Sequence, residues 1–233
     1  MVEFRPGSFQ ILPPVIKNLI IVNVLVFLAQ KAFDPTDFGT VSQLFALHDV
    51  RSVYFKPHQL ITHLFMHGGI WHIFFNMFAL WMFGSTLENV WGPKRFLIFY
   101  MLCGLGAAVL HLTTLYVEYA DLASQMASAP IDIQNQYLYD PLYKINVPTV
   151  GASGAVFGCL AAFGYLFPNS IVYAYFIPMK AKWFVILYAG LELWLGIRNS
   201  AGDSVAHWAH LGGALVGFLL VFYWNRNNRR RFY

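Results

Sequence analysis

Six apolar stretches dominate this 233-residue chain, at about 15–33, 69–88, 95–118, 149–167, 182–199 and 205–224, and all read as candidate membrane spans. Each comes near the roughly 20 residues a helix needs to cross a bilayer core. Composition supports this, because the chain is 58% hydrophobic and 11% charged, well under the roughly 25% charge of soluble domains. The expected fold class is an all-α polytopic membrane protein, a single domain over 1–233 with an inner N-terminal segment 1–14 and a basic inner tail 225–233. The first stretch follows Pro13-Pro14 with no small-residue cleavage pattern behind it, so it reads as a retained helix and not a signal peptide.

Orientation follows from the lysines and arginines. With the N-terminus inside, the inner side holds Arg5, Lys17, Lys94, Arg95, Lys180, Lys182, Arg226, Arg229, Arg230 and Arg231, and the outer side Lys31, Arg51, Lys56, Lys144 and Arg198. This bias places both termini in the cytoplasm and suits a bacterial inner membrane. The tail NRNNRRRF supplies much of the net charge of +4. It reads as an anchor on anionic inner-leaflet lipid, and no nucleic-acid partner is expected.

Two outer segments are long. Residues 34–68 are too apolar for a solvated loop, with Leu44, Phe45, Leu47, Val53, Tyr54, Phe55, Leu60, Ile61, Leu64 and Phe65, and read as an element lying partly in the outer leaflet. Residues 119–148 are more polar, carry Pro130, Pro141 and Pro148, and read as a surface loop. Cys103 and Cys159 fall inside apolar spans and read as small buried hydrophobes.

The stretch GASGAVFG at 151–158 admits two readings, a seam of small residues between helices or a nucleophile. Depth separates them. The second, fourth and sixth spans all start at the outer face, and each carries a polar residue in its first turns: His72 and Asn76, Ser153, and His210. At ~1.5 Å per residue Asn76 lies roughly 11 Å, and His210 roughly 8 Å, below the start of its span. A helix from Ser153 to Phe167 is about 21–22 Å long, so against a core of ~30 Å it begins roughly 8 Å down. Polar side chains are costly at that depth unless they face one another or a cavity, which makes their convergence a functional-site hypothesis.

A first-turn serine has unpartnered N–H groups around it and a helix dipole that favours negative charge, so it can offer both a nucleophilic oxygen and part of an oxyanion hole. Gly151 and Gly154 permit a tight turn and close approach of a substrate. His210 is at the right depth to act as base, and Gly213 and Gly217, at small-xxx-small spacing, let its helix approach that of the serine. His72 and Asn76, four apart on one face, suit an oxyanion hole shared with the N–H of Ser153. Glu88 lies about 18 Å further along its helix than Asn76. Glu192 sits on a helix of opposite direction and is expected near mid-membrane, so the expectation is a Ser-His dyad and not a triad.

Together, His67, His72 and Asn76 on the second span, Gly151-Ala-Ser153-Gly154 on the fourth, and Ala209-His210, Gly213 and Gly217 on the sixth resemble the rhomboid family of intramembrane serine proteases. The likeness runs over essentially the whole chain, with a six-transmembrane-helix bundle and a long, partly membrane-embedded first outer loop. It implies hydrolysis of a peptide bond in or beside a substrate's transmembrane helix, without metal or cofactor. Ser153 would be the nucleophile and His210 the base, with His72 and Asn76 lining the oxyanion hole. Phe157 takes the place of an aromatic that stacks on the base, and 176–183 resembles the loop before a fifth helix thought to move aside for substrate. The first loop departs from the family, with His58-Gln59 where a tryptophan often precedes Gln or Arg.

The other polar residues have plainer readings. His63 and His67, four apart, lack an HExxH context and read as fastenings of the loop and not a metal site. His207 reads as facing the loop or a neighbouring helix, His48, His58 and His111 have no motif around them, and Glu88 reads as tying helix ends together. Two other functions stay in view, a non-catalytic rhomboid-like protein that binds membrane clients and a haem- or small-molecule-handling membrane protein.

Overall fold

A computed structural model describes residues 9–34, 39–174, 176–198 and 205–227. Residues 1–8 and 228–233 lie outside them, and with them Arg5, Arg229, Arg230 and Arg231 of the charge argument and most of the basic tail.

The chain is mostly helical. Helix α1 (Pro14–Phe33) begins with proline at its first position and has no side-chain cap of its own. Its first N–H groups, which have no partner within the helix, are met from across the bundle, where the Glu88 carboxylate accepts from Val15 and Ile16, both at 2.9 Å. Short α2 (Thr40–Phe45) is capped by Asp34, which accepts from the N–H groups of Val41 and Ser42. Helix α3 (Gln59–Thr62) runs into a 3₁₀ turn, His63–Phe65. The next span is continuous from α4 (Ile70–Ala79) through a π-helical turn at Leu80–Gly84 into α5 (Ser85–Trp91). Then come α6 (Pro93–Glu118), α7 (Ala120–Ser128), α8 (Ile131–Leu138), α9 (Ser153–Leu166), strands β1 (Ile171–Ala174) and β2 (Ile177–Lys180), α10 (Ala181–Arg198) and α11 (His207–Asn227).

By length and composition, 14–33, 70–91, 93–118 and 207–226 are each long and apolar enough to cross a membrane, and α9 is a shorter apolar fifth. The expected span at 182–199 is also a helix, but α10 carries Lys182, Glu192 and Arg198 in its 18 residues, which weakens its apolar character. Helix α9 has 14 residues, about 21 Å, and begins at Ser153 as expected, inside the apolar stretch that opens near 149. The preceding segment is extended and bridged to the first loop, with Thr149 paired to Leu47.

Two expectations are corrected. The fold is not purely α: β1 and β2 form an antiparallel hairpin between α9 and α10, pairing Ile171 with Lys180 and Ala174 with Ile177, and its turn holds Phe176 at φ 70°. The β-branched and aromatic Ile171, Val172 and Tyr173 favour the extended form there. The second outer segment is likewise more than loop. Its Ala-containing 120–128 and the stretch after Pro130 coil into α7 and α8, which lie on the surface with no buried residue.

From residue 39 on, the first outer segment is an element built around Gln59, which is fully buried. Its Oε1 accepts from the N–H groups of His48 and Lys56, and its Nε2 donates to the carbonyls of Gln43 and Tyr54. His58 Nε2–H donates to the Leu44 carbonyl at 2.7 Å, so side-chain hydrogen bonds seat the departing His58-Gln59 pair. Arg51 pairs with Asp49, donates to the carbonyls of Leu115 and Tyr116 at the end of α6, and stacks on Tyr116.

Helix α9 is the centre of the bundle, with ten of its 14 residues buried, against α6, α10 and α11. Small residues permit this. A Cβ on Gly213 would run into the Gly154 carbonyl, and one on Gly217 would lie 2.6 Å from the Gly158 carbonyl oxygen, so α11 rests backbone-on-backbone against α9. Both Cys103 and Cys159 are buried and free, as small packing residues. By contrast Leu25, Leu28, Phe74, Phe75, Val109, Leu215 and Leu219 point outward, the apolar exterior of a membrane bundle.

Candidate active site

Ser153 opens α9, and the close seating of α11 brings His210 to it. The serine hydroxyl lies 2.8 Å from His210 Nε2. The imidazole lies flat on Phe157, one turn further along α9, with centroids 4.2 Å apart and 6° between the planes. Phe157 is held in turn by Tyr188 of α10, 4.9 Å away. The His210 ring is therefore positioned by an aromatic face on one side and by its contact with the serine at its edge.

The expected absence of an acid is corrected. Glu192 of α10 is buried, and its Oε2 accepts from His210 Nδ1–H at 2.9 Å and from His207 Nδ1–H at 2.7 Å. Counted back from the C-terminal end of α10 at Arg198, Glu192 lies only about 9 Å in, level with the serine layer and not at the middle. That count was the signal available in the sequence. His207, read as facing a loop or neighbouring helix, faces α10 through this carboxylate.

Opposite the serine stands His72. Its Nδ1 accepts from the Gly68 N–H at 3.3 Å, which leaves its proton on Nε2. That nitrogen faces the Gly151 backbone: a Cβ on Gly151 would be 2.8 Å from it. Gly151 also has φ +130°, a conformation a side chain rarely adopts, so glycine is required there on two counts. The backbone before Ser153 is thereby shaped around a donor. Gly154 is needed differently, for the approach of α6 and α11 to the serine's helix.

Asn76 is buried on the same face of α4, and its Nδ2 donates to the His72 carbonyl at 2.9 Å. One of its two amide hydrogens is thus committed to its own helix.

The remaining histidines fasten the frame. His63 Nδ1–H donates to the Gln59 carbonyl at 2.7 Å, while the His63 carbonyl accepts from Gly151 N–H at 3.0 Å, tying the first loop to the glycine before the serine. The His67 N–H donates to Gln30 Oε1, and its ring meets His72 edge-on at 5.2 Å. Burial holds both imidazoles uncharged, His63 down to about 4 and His67 down to about 3, the latter helped by the neighbouring His72. His48 Nδ1–H donates to the Ala46 carbonyl, and His111 Nε2 meets Thr149 Oγ1 at 2.7 Å. Among the described residues, Glu192, His207 and His210 form the one group whose ligand atoms could surround a cation, all within 4.8 Å of one another. Those same atoms are already satisfied by the shared hydrogen bonds.

The family model described as the Rhomboid domain matches residues 54–227. The chain is 31% identical to RHOMBOID-like protein 12, mitochondrial, of Arabidopsis thaliana, over 94% of this chain and 60% of that protein. It is 31% identical to Rhomboid protein 1, mitochondrial, of Saccharomyces cerevisiae, over 70% of this chain and 41% of that protein. With Rhomboid protease GluP of Bacillus subtilis it shares 26% identity, over 69% of this chain and 24% of that protein. The chain therefore spans 60% or less of the length of these relatives.

Proposed function

The chain belongs to the rhomboid family of multi-pass membrane proteins, and on that premise we propose that it is an intramembrane serine endopeptidase. It cuts transmembrane segments of membrane-protein substrates near the outer face of the bilayer. The observation that carries the reading is the 2.8 Å contact of Ser153 Oγ with His210 Nε2 at the first residue of α9. His210 takes the hydroxyl proton as the serine attacks the peptide carbonyl, then delivers it to the leaving amine, and water releases the acyl group by the same route reversed. The negative oxygen of the tetrahedral intermediate is met by the N–H of Ser153, His72 Nε2–H and the second hydrogen of the Asn76 amide. The four long apolar helices, α9 and α10 serve as six spans, with both termini on the cytoplasmic side of a bacterial inner membrane. The partners are transmembrane proteins and the surrounding lipid, and substrates unwind before cleavage because the carbonyls of an intact helix are paired and shielded.

The test is labelling by a fluorophosphonate in mild detergent. The label should map to Ser153 and vanish in Ser153→Ala and His210→Ala. A panel of single-span proteins should be cut near the outer end of the span, with helix-weakening Gly or Pro favouring cleavage. A folded wild-type protein that neither labels nor cleaves would overturn this reading in favour of a client-binding rhomboid-like protein.

A further inference from the structure

We propose that Glu192 is a positioning residue for His210, so that the site works as a line of three, Ser153, His210 and Glu192, with His207 as the second clamp on the carboxylate. The inference rests on the serine–histidine reading above. It begins from what a carboxylate can do: ionised, it accepts hydrogen bonds and donates none. Glu192 Oε2 faces His210 Nδ1 at 2.9 Å and His207 Nδ1 at 2.7 Å, so both nitrogens carry their hydrogen. In neutral His210 the lone pair is then on Nε2, the atom 2.8 Å from Ser153 Oγ. The acid selects the one tautomer in which His210 can accept the serine proton, while the stacked Phe157 fixes the plane of the ring.

The same contact serves the transition state. When the proton reaches Nε2 the imidazole becomes a cation, and its Nδ1–H stays hydrogen-bonded to a negative oxygen inside a buried site, where such attraction is worth far more than in water. His207 has a distinct part. A carboxylate buried to 4% exposure is costly with a single donor, and the second Nδ1–H on the same oxygen holds the Glu192 rotamer in place. The other titratable groups near the base are His72 on α4 and His111 on α6, and neither donates to the Glu192 oxygen. Because Glu192 is on α10 and His210 on α11, the arrangement also makes the alignment of the base depend on where α10 sits.

The test uses the full-length protein in detergent and an alkyl fluorophosphonate, whose P–F bond breaks as the Ser153 O–P bond forms, fluoride leaving and the serine proton passing to His210. The maximal inactivation rate is separated from the probe concentration giving half that rate, and the number of competent sites is counted from labelling at saturation. In Glu192→Gln the maximal rate per competent site should fall by about 10²-fold or more, as expected when the acid behind a serine–histidine pair becomes an amide. The half-saturating concentration should change less than about threefold, and Glu192→Asp should recover part of the rate. In ¹⁵N-histidine wild-type protein at neutral pH, His210 should show a protonated Nδ1 and an unprotonated Nε2, a reading that needs no variant to fold. A Glu192→Gln rate within about threefold of wild type, or a loss accounted for wholly by fewer competent sites, would mean that Glu192 only ties α10 to α11, and would overturn this inference alone. So would a wild-type His210 protonated on Nε2. A folded wild type that does not label at all would overturn the proposed function first, and this inference with it.

Discussion

The imidazole of His210 and the ring of Phe157 are parallel to within 6° at a centroid distance of 4.2 Å, and Tyr188 closes on the same phenylalanine from α10. The plane of the His210 ring is thus set by a residue one turn beyond the serine, on the serine's own helix. A stacked aromatic pair contributes about 0.5–1.5 kcal/mol beyond its buried area. Phe157→Leu keeps apolar bulk but removes the flat face, and the fluorophosphonate labelling rate should fall by about tenfold. Phe157→Tyr should stay within about threefold, and equal rates in the two variants would show that the stack does not orient the base.

Gly151 should tolerate no side chain. Gly151→Ala forces a Cβ into a backbone at φ +130° and to within 2.8 Å of His72 Nε2. The loop before Ser153 and the His72 donor should shift, and the labelling rate should fall by about 100-fold or more, the loss associated with removing one oxyanion-hole donor. The label should still map to Ser153. An unchanged rate would separate His72 from the site.

Glu88 should matter for stability and not for chemistry. Its carboxylate satisfies two N–H groups at the start of α1, that of Ile16 buried and that of Val15 part-buried, and a buried one left without a partner costs about 1–3 kcal/mol. Glu88→Ala should lower the thermal unfolding midpoint in detergent, with Glu88→Gln intermediate. The labelling rate per competent site should match wild type in both.

Acid should destabilise the protein through His63 and His67. Both are held uncharged in the fold, at about 4 and about 3 against an ordinary 6.5, so between these limits the unfolded chain binds the more protons. Their contribution is therefore fully present above pH ~6.5 and is lost as pH falls toward the folded values, by up to about 1.4 kcal/mol per pH unit for each histidine. His63→Gln should reduce the slope of unfolding free energy against pH over 4 to 6.5 by about one proton. An unchanged slope would mean that His63 does not govern it.

Much of the candidate site was legible because membrane depth is a one-dimensional coordinate. The apolar stretches fix where helices start, the helical rise converts residue number into depth, and Ser153, His72, Asn76 and His210 fall in one layer without knowledge of how the helices are arranged. The short α9, beginning at the serine, follows the same count. Glu88 was readable as a helix-end tie for the same reason, since it lies a full span away from the polar layer.

Lateral arrangement was not legible in this way. Whether Glu192 faces His210 or lipid depends on the rotation of α10 about its axis and on which helix it packs against, and an apolar helix with charges at both ends carries little periodic signal of either. The glycines 213 and 217 indicated a close approach, but only the packing shows that its partners are the backbones of Gly154 and Gly158. The hairpin before α10 and the surface helices α7 and α8 were missed because short polar or mixed segments take their form from neighbours and from local turn geometry, not from a hydrophobic period. The sequence by itself therefore determined the membrane environment, the family resemblance and the layer in which polar groups meet, since each depends on position along the chain. Only the tertiary structure decided that Glu192 and His207 complete the cluster around His210, because hydrogen bonds between helices are set by distances of 2.7 to 2.9 Å across the bundle, which no spacing along one helix encodes.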